Sequence, residues 1–154
     1  MPDWISHVLI GLILCEILDL RPKSLVLLGT LLPDLILKSE LLQIFFPLGD
    51  RLYWVFMPLH TPIGLLLMSL LILPLFDYDR KKSFLLITLG WISHLLSDML
   101  TKHFLIGEFL LFPFSWKTFG FGMIWPEEFY MILLPLIIIY AAVLVVKRAV
   151  PNKQ

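Results

Sequence analysis

Inside the apolar run Gly90-Trp-Ile-Ser-His-Leu-Leu-Ser-Asp-Met-Leu-Thr101 stand a histidine and an aspartate, His94 and Asp98. Four residues apart on a helix, their side chains leave from one face, one turn above the other. A carboxylate deep in an apolar segment costs a few kcal/mol, at least about 2.5, unless something compensates it. Two potential ligands at i and i+4 suggest a metal ion as the compensation. A fold for this chain therefore has to bring further polar groups to that face.

The surroundings point to a membrane. Of 154 residues, 59% are apolar, and the mean hydropathy is +0.91, against about 45–50% apolar in ordinary globular domains. Twelve basic and twelve acidic residues cancel, so no bulk field recruits nucleic acid or an acidic substrate. The lone Cys15 permits no internal disulfide. The start, Met1-Pro-Asp-Trp, has no basic n-region, and Glu16 and Asp19 break the apolar run behind it, so no cleavable leader is expected.

The apolar runs predict an all-α, polytopic membrane bundle of about four to five membrane helices in one domain, 1–154. Runs 5–20 and 25–37 form a pair too short to cross comfortably, at 1.5 Å per residue against a core of about 30 Å. Residues 38–59 are mixed and aromatic, which suits an interfacial segment. Further spans are expected at 60–76 and 83–100, so that helices bearing the site fill 5–101. Residues 102–126, rich in Phe and Trp and punctuated by Gly and Pro, read as an interfacial or re-entrant cover. A last membrane helix runs over 127–147.

Counting basic residues by side gives an orientation. With spans alternating, Arg21, Lys23, Arg80, Lys81 and Lys82 share a side with Lys147, Arg148 and Lys153. The positive-inside rule places that side in the cytoplasm. His7, Asp34, His60, His94 and Asp98 then fall at one depth near the outer surface. Three His and two Asp make a mixed nitrogen and oxygen set for one or two divalent ions, zinc first, with Mn, Mg or Fe as the other candidates. Each residue also has a plainer reading: His94–Asp98 as a structural hydrogen-bonded pair, Asp34 as a partner for backbone freed by Pro33, His60 and His7 as interfacial side chains. Gly90 removes bulk on the His94 face, for a neighbouring helix or a substrate. Asp3 is placed to orient His7, and His103 reads as interfacial. Glu108, Glu127 and Glu128 lie on the same side, the last two as charges at a helix start. Lys102 could meet a phosphate or snorkel to headgroups.

Taken together, His7 with Gly11, Gly29-x-Leu-Leu-Pro-Asp34, His60-Thr61-Pro62 and Gly90-x3-His94-x3-Asp98-x2-Thr101 resemble the prokaryotic membrane-bound metal-dependent hydrolases, the LexA-regulated inner-membrane hydrolase family. The likeness covers about the first two thirds of the chain. Relatives more often show His-Arg-x-x-Thr-His around the central histidine, where this chain has Met57-Pro-Leu-His-Thr-Pro62 and keeps one histidine. The ligand order is also similar, more loosely, to that of zinc-dependent phospholipase C. That resemblance implies phosphoester hydrolysis, with Asp34, His60, His94 and Asp98 on one metal and Asp98 bridging to a second held partly by His7. The expected function is a metal-dependent hydrolase of the inner membrane, its site on the extracytoplasmic side, acting on a lipid or lipid-linked phosphate. Metal-activated water is the nucleophile, and Asp98 or Asp34 shares the base role. The competing expectations are a divalent-cation or proton transporter using the same ligands, and a structural membrane protein with a stabilising metal.

Overall fold

The computed structural model describes residues 4–37, 57–102, 107–125, 128 and 130–149. Among them are five α-helices and no strand: α1 (Trp4–Ile17), α2 (Lys23–Leu37), α3 (Pro62–Ile72), α4 (Arg80–Leu100) and α5 (Tyr130–Ala149). The boundaries follow local chemistry. Thr61 caps α3 by accepting from the Gly64 N–H at 3.2 Å, and Pro62 fills the first turn, where no N–H is needed. Asp79 caps α4 by accepting from the Lys82 N–H at 2.8 Å. A 3-10 turn, Met57–His60, leads into α3.

The tightest contact in the bundle is α2 on α4, and two glycines make it. A Cβ on Gly29 would stand 2.1 Å from the Ile87 carbonyl oxygen, and one on Gly90 would stand 2.1 Å from that of Val26. Each helix thus presses its backbone where the other has no side chain. Gly90 serves helix packing, the first of its two sequence readings. Beside the crossing, Cys15, Leu25, Val26, Leu86 and Ile87 form one buried cluster. Leu65, Trp91 and Leu95 form another, nearer the carboxyl end of α4.

Fewer helices than expected can cross a membrane on their own. Only α4 and α5, with 21 and 20 residues, are long and apolar enough among the described residues. The other three have 14, 15 and 11 residues, so they rise about 17–22 Å at 1.5 Å per residue. The expected count of four to five is corrected to two by that measure. Among the described helices α5 packs mainly on α1, and none of its apolar window is buried against described residues. Such a surface suits lipid.

Residues 107–125 are irregular, with two isolated bridges, Thr101 to Ile124 and Glu108 to Phe119. This stretch is stitched to the end of α4. Phe121 N donates to Met99 O at 2.7 Å, Met123 N and Ile124 N donate to Leu100 O at 2.9 and 3.1 Å, and Lys102 N donates to Ile124 O at 2.7 Å. The bonds satisfy carbonyls that a helix end leaves open. Phe114, Trp116 and Phe121 stay exposed on this cover. The interfacial segment expected over 38–59 lies outside the described residues except for 57–59, as do Asp3, His103 and Glu127.

Candidate metal centre

Three helices and one turn deliver polar residues to the same end of the bundle. α1 contributes His7 from its first turn and α2 Asp34 from its last. The turn before α3 supplies His60, and α4 supplies His94 and Asp98 near its carboxyl end. One ligand-type atom each from Asp34, His60, His94 and Asp98 comes within 4.8 Å of the others. All five side chains are at most 6% exposed. The lone His94–Asp98 pair of the sequence is therefore one wall of a buried cluster drawn from four segments.

The two carboxylates divide their oxygens between two sides. Asp98 Oδ2 lies 3.2 Å from His60 Nε2 and 3.3 Å from His94 Nε2, while Asp98 Oδ1 lies 3.4 Å from His7 Nε2. Asp34 Oδ1 is 4.0 Å from His94 Nε2, and its Oδ2 is 4.0 Å from His7 Nε2. His7 stacks on His94, with ring centroids 4.1 Å apart and 19° between planes. His7 stands outside the four-atom group, next to the other oxygen of each carboxylate.

The remaining ring nitrogens of His94 and His60 face acceptors. His94 Nδ1 lies 2.7 Å from the Thr30 carbonyl oxygen. A carbonyl only accepts, so Nδ1 carries the hydrogen and Nε2 presents its lone pair to the cluster. That carbonyl sits one residue beyond Gly29, whose own helical bond Pro33 removes. His60 Nδ1 lies 2.9 Å from Glu108 Oε2, which assigns its hydrogen the same way. His60 Nε2 and His94 Nε2 meet at 2.9 Å, a spacing that needs one hydrogen between them. Burial works against a charged His60, but hydrogen bonds to Asp98 and Glu108 outweigh it and push the imidazole up to about 10. A proton on His60 thus bridges two nitrogens and a carboxylate.

A divalent cation fits this donor set. Two imidazole lone pairs and two carboxylates converge, and acceptors behind both imidazoles hold them in the ligating tautomer. Neither ring nitrogen of His7 makes a hydrogen bond among the described residues. Sequence reasoning passed over two participants. Glu108 was placed on this side of the chain without a role, and the Thr30 carbonyl carries no side-chain signal at all.

Lys102, expected to meet a phosphate or to snorkel to headgroups, follows the end of α4 that bears His94 and Asp98. Its Nζ stands 4.5 Å over the Trp125 ring. It lines an open cleft of about 530 Å³ with Thr101, Phe119, Trp125 and the backbones of Gly107, Gly120 and Gly122 among others. Lys102 is the one charged side chain among the described lining residues. Thr101, shared by the cleft and the end of α4, donates from Oγ1 to the Asp98 carbonyl at 2.8 Å.

A second ionic cluster occupies the opposite end. Glu16, almost fully buried, is paired with Lys23, with Arg21 at 3.8 Å and with Lys147 at 3.5 Å. Lys147 also reaches Asp19 at 3.0 Å. This brings the carboxyl end of α5 to the α1–α2 turn.

Among known proteins, the family model of the YdjM inner membrane proteins matches residues 1–151, so this chain belongs to that family. No curated protein and no solved structure matches it.

Proposed function

For this member of the YdjM inner membrane family, we propose a membrane-embedded metal-dependent hydrolase that cleaves a phosphoester of a lipid or lipid-linked substrate. The observation that carries the reading is the buried convergence of Asp34, His60, His94 and Asp98 within 4.8 Å. A divalent ion held there, zinc first among candidates, would acidify water and polarise the phosphoryl oxygen. His60 and His94 would hold the ion through Nε2, with Glu108 and the Thr30 carbonyl behind them. Asp98 Oδ1 and Asp34 Oδ2, the oxygens turned toward His7, are the proton acceptors for the attacking water. A second ion, were one to bind, would be held partly by His7, with Asp98 shared between the two. Water oxygen joins phosphorus, the phosphorus–oxygen ester bond breaks, and the alcohol leaves with a proton.

Lys102 binds the substrate's phosphate in the cleft, beside Trp125. The ester enters from the leaflet, which suits a cleft rimmed by exposed aromatic side chains. Charge counting puts this end on the extracytoplasmic side. A transport path is less well supported. Along α2 and α4 the two charged ends are separated by buried Leu25, Val26, Leu86, Ile87 and Trp91, with no acidic, basic or histidine side chain of these helices among them, whereas an ion path is marked by ionisable groups at intermediate depths.

The test uses purified protein in detergent or liposomes. Metal content is measured by elemental analysis, and phosphate release is followed from phospholipid and polyprenyl phosphates. Wild type should carry one or two ions and hydrolyse one of these substrates. His94→Ala should lose both properties. Equal activity in the variant would sink the site assignment, and metal-dependent cation flux without hydrolysis would favour transport.

A further inference from the structure

The cover over residues 107–125 does more than close the end of the bundle. Glu108 crosses 48 positions of sequence to reach His60 at 2.9 Å, and both side chains are buried. Its backbone is clamped in both directions to Phe119, with N–H to O distances of 2.8 and 2.9 Å. Beside it, a Cβ on Gly107 would stand 2.6 Å from the Phe119 carbonyl oxygen, so the pairing closes only around a glycine. From Phe121 to Ile124 the same cover is tied to Met99, Leu100 and Lys102. Those residues directly follow Asp98 on the helix that also bears His94.

We infer that Glu108 is a positioning residue for His60, and that the cover is the device that delivers it. Seating of the cover and retention of a cation by the His/Asp cluster are then one coupled equilibrium. The inference rests on the metal reading proposed above. Its physical basis is the acceptor chemistry of a carboxylate: held against Nδ1, it keeps a hydrogen there and leaves Nε2 as the nitrogen that a cation beside Asp98 and His94 would take. Without Glu108 the ring can turn or exchange its hydrogen between nitrogens, and a ligand is lost for part of the time. Partners of this kind change metal affinity by about 10- to 100-fold. Linkage then requires the converse: a bound cation must hold the cover down by the same factor.

Three substitutions separate positioning from mere structure. Glu108→Ala removes the acceptor. Glu108→Gln keeps an acceptor oxygen and loses the charge. Gly107→Ala touches neither the cluster nor His60, yet forces the Glu108–Phe119 pairing apart. Co²⁺ affinity of the full-length chain in detergent is measured by competition with a chelating dye, and the visible spectrum of bound Co²⁺ reports its ligand geometry. The expected order is wild type, then Glu108→Gln, then Glu108→Ala, the last weaker by about 10- to 100-fold with an altered spectrum. Gly107→Ala should fall toward Glu108→Ala. Tryptic cleavage after the exposed Lys117 should slow on Co²⁺ addition in wild type and not in Glu108→Ala. Should Glu108→Ala bind Co²⁺ within about twofold of wild type with an unchanged spectrum, the positioning role is refuted. Loss of affinity in Gly107→Ala without loss in Glu108→Ala would make the cover a structural element only. A wild-type chain that takes up no Co²⁺ would overturn the metal reading itself, and this inference with it.

Discussion

Gly90→Ala is a one-carbon test of how α2 and α4 build the centre. The added Cβ would stand 2.1 Å from the Val26 carbonyl oxygen, where ordinary contact begins at 3.4 Å. The shortfall is about 1.3 Å, and the obstacle is backbone, which cannot swing aside as a side chain does. The Val26 carbonyl carbon and Gly29 Cα are also within 3.1 Å. The helices must separate by roughly that shortfall. Across this same interface His94 Nδ1 donates to Thr30 O at 2.7 Å. Moved apart by the shortfall, the pair would stand about 4 Å apart, beyond hydrogen-bond range. The variant should lose about 1–3 kcal/mol of stability through overpacking. Metal affinity should drop by about 10- to 100-fold, because His94 no longer has its tautomer held. Thermal denaturation in detergent and metal titration read the two effects separately. Gly120→Ala is the control, since its Cβ would meet nothing closer than Met99 O at 3.8 Å. A folded Gly90→Ala that binds metal as wild type does would refute the idea that this crossing sets the centre.

Other outcomes follow from the same geometry. His60, pushed up to about 10, holds a proton where a cation would bind, so metal uptake should release it. Apparent affinity should fall about tenfold per unit as pH drops below that value, and a pH-independent affinity would contradict the assignment. The sign for stability is opposite. With a raised pKa, the protonated His60 stabilises the metal-free fold fully below the ordinary 6.5 and loses that contribution as pH rises through about 10. Lys102→Met should raise KM for an anionic lipid substrate by about tenfold or more, as expected for a lost charge-assisted bond, while metal content stays unchanged. Lys147→Ala should loosen α5 from the α1–α2 turn, seen as faster proteolysis near the carboxyl terminus. Lys147 holds the Asp19 carboxyl below its usual 3.8, so that tie is complete above this value and is lost as pH falls through the depressed one. A proteolysis rate insensitive to Lys147→Ala would leave the tie without a role.

Much of the helical layout was readable because it depends on local periodicity and on the cost of charge in apolar surroundings. His94 and Asp98 stood out for that reason, and Pro62 marks a helix start by its own chemistry, whereas Asp79, the cap of α4, was passed over. The membrane count was overestimated because apolar runs do not reveal where helices stop. The runs expected over 5–20 and 60–76 give α-helices that end at Ile17 and Ile72, while the run over 25–37 ends where expected, at Leu37. Glu108 was visible but mute: an acidic residue in an aromatic loop carries no mark of the histidine it meets 48 positions away. The two-way pairing with Phe119 that brings it there comes from backbone hydrogen bonds, to which side-chain patterns are blind. Lys102 was noticed, while its place over Trp125 needed the cover to fold back on α4.

By itself, the sequence determined that this chain is helical and apolar, and that its few buried-type polar residues recur at alternate helix ends. Those properties follow from residue chemistry and short spacing. Only the tertiary structure decided that the ends meet, which oxygen of each aspartate faces which histidine, and what stands behind each imidazole. These relations are distances between segments, and they are decided by how closely Gly29 and Gly90 let two backbones approach.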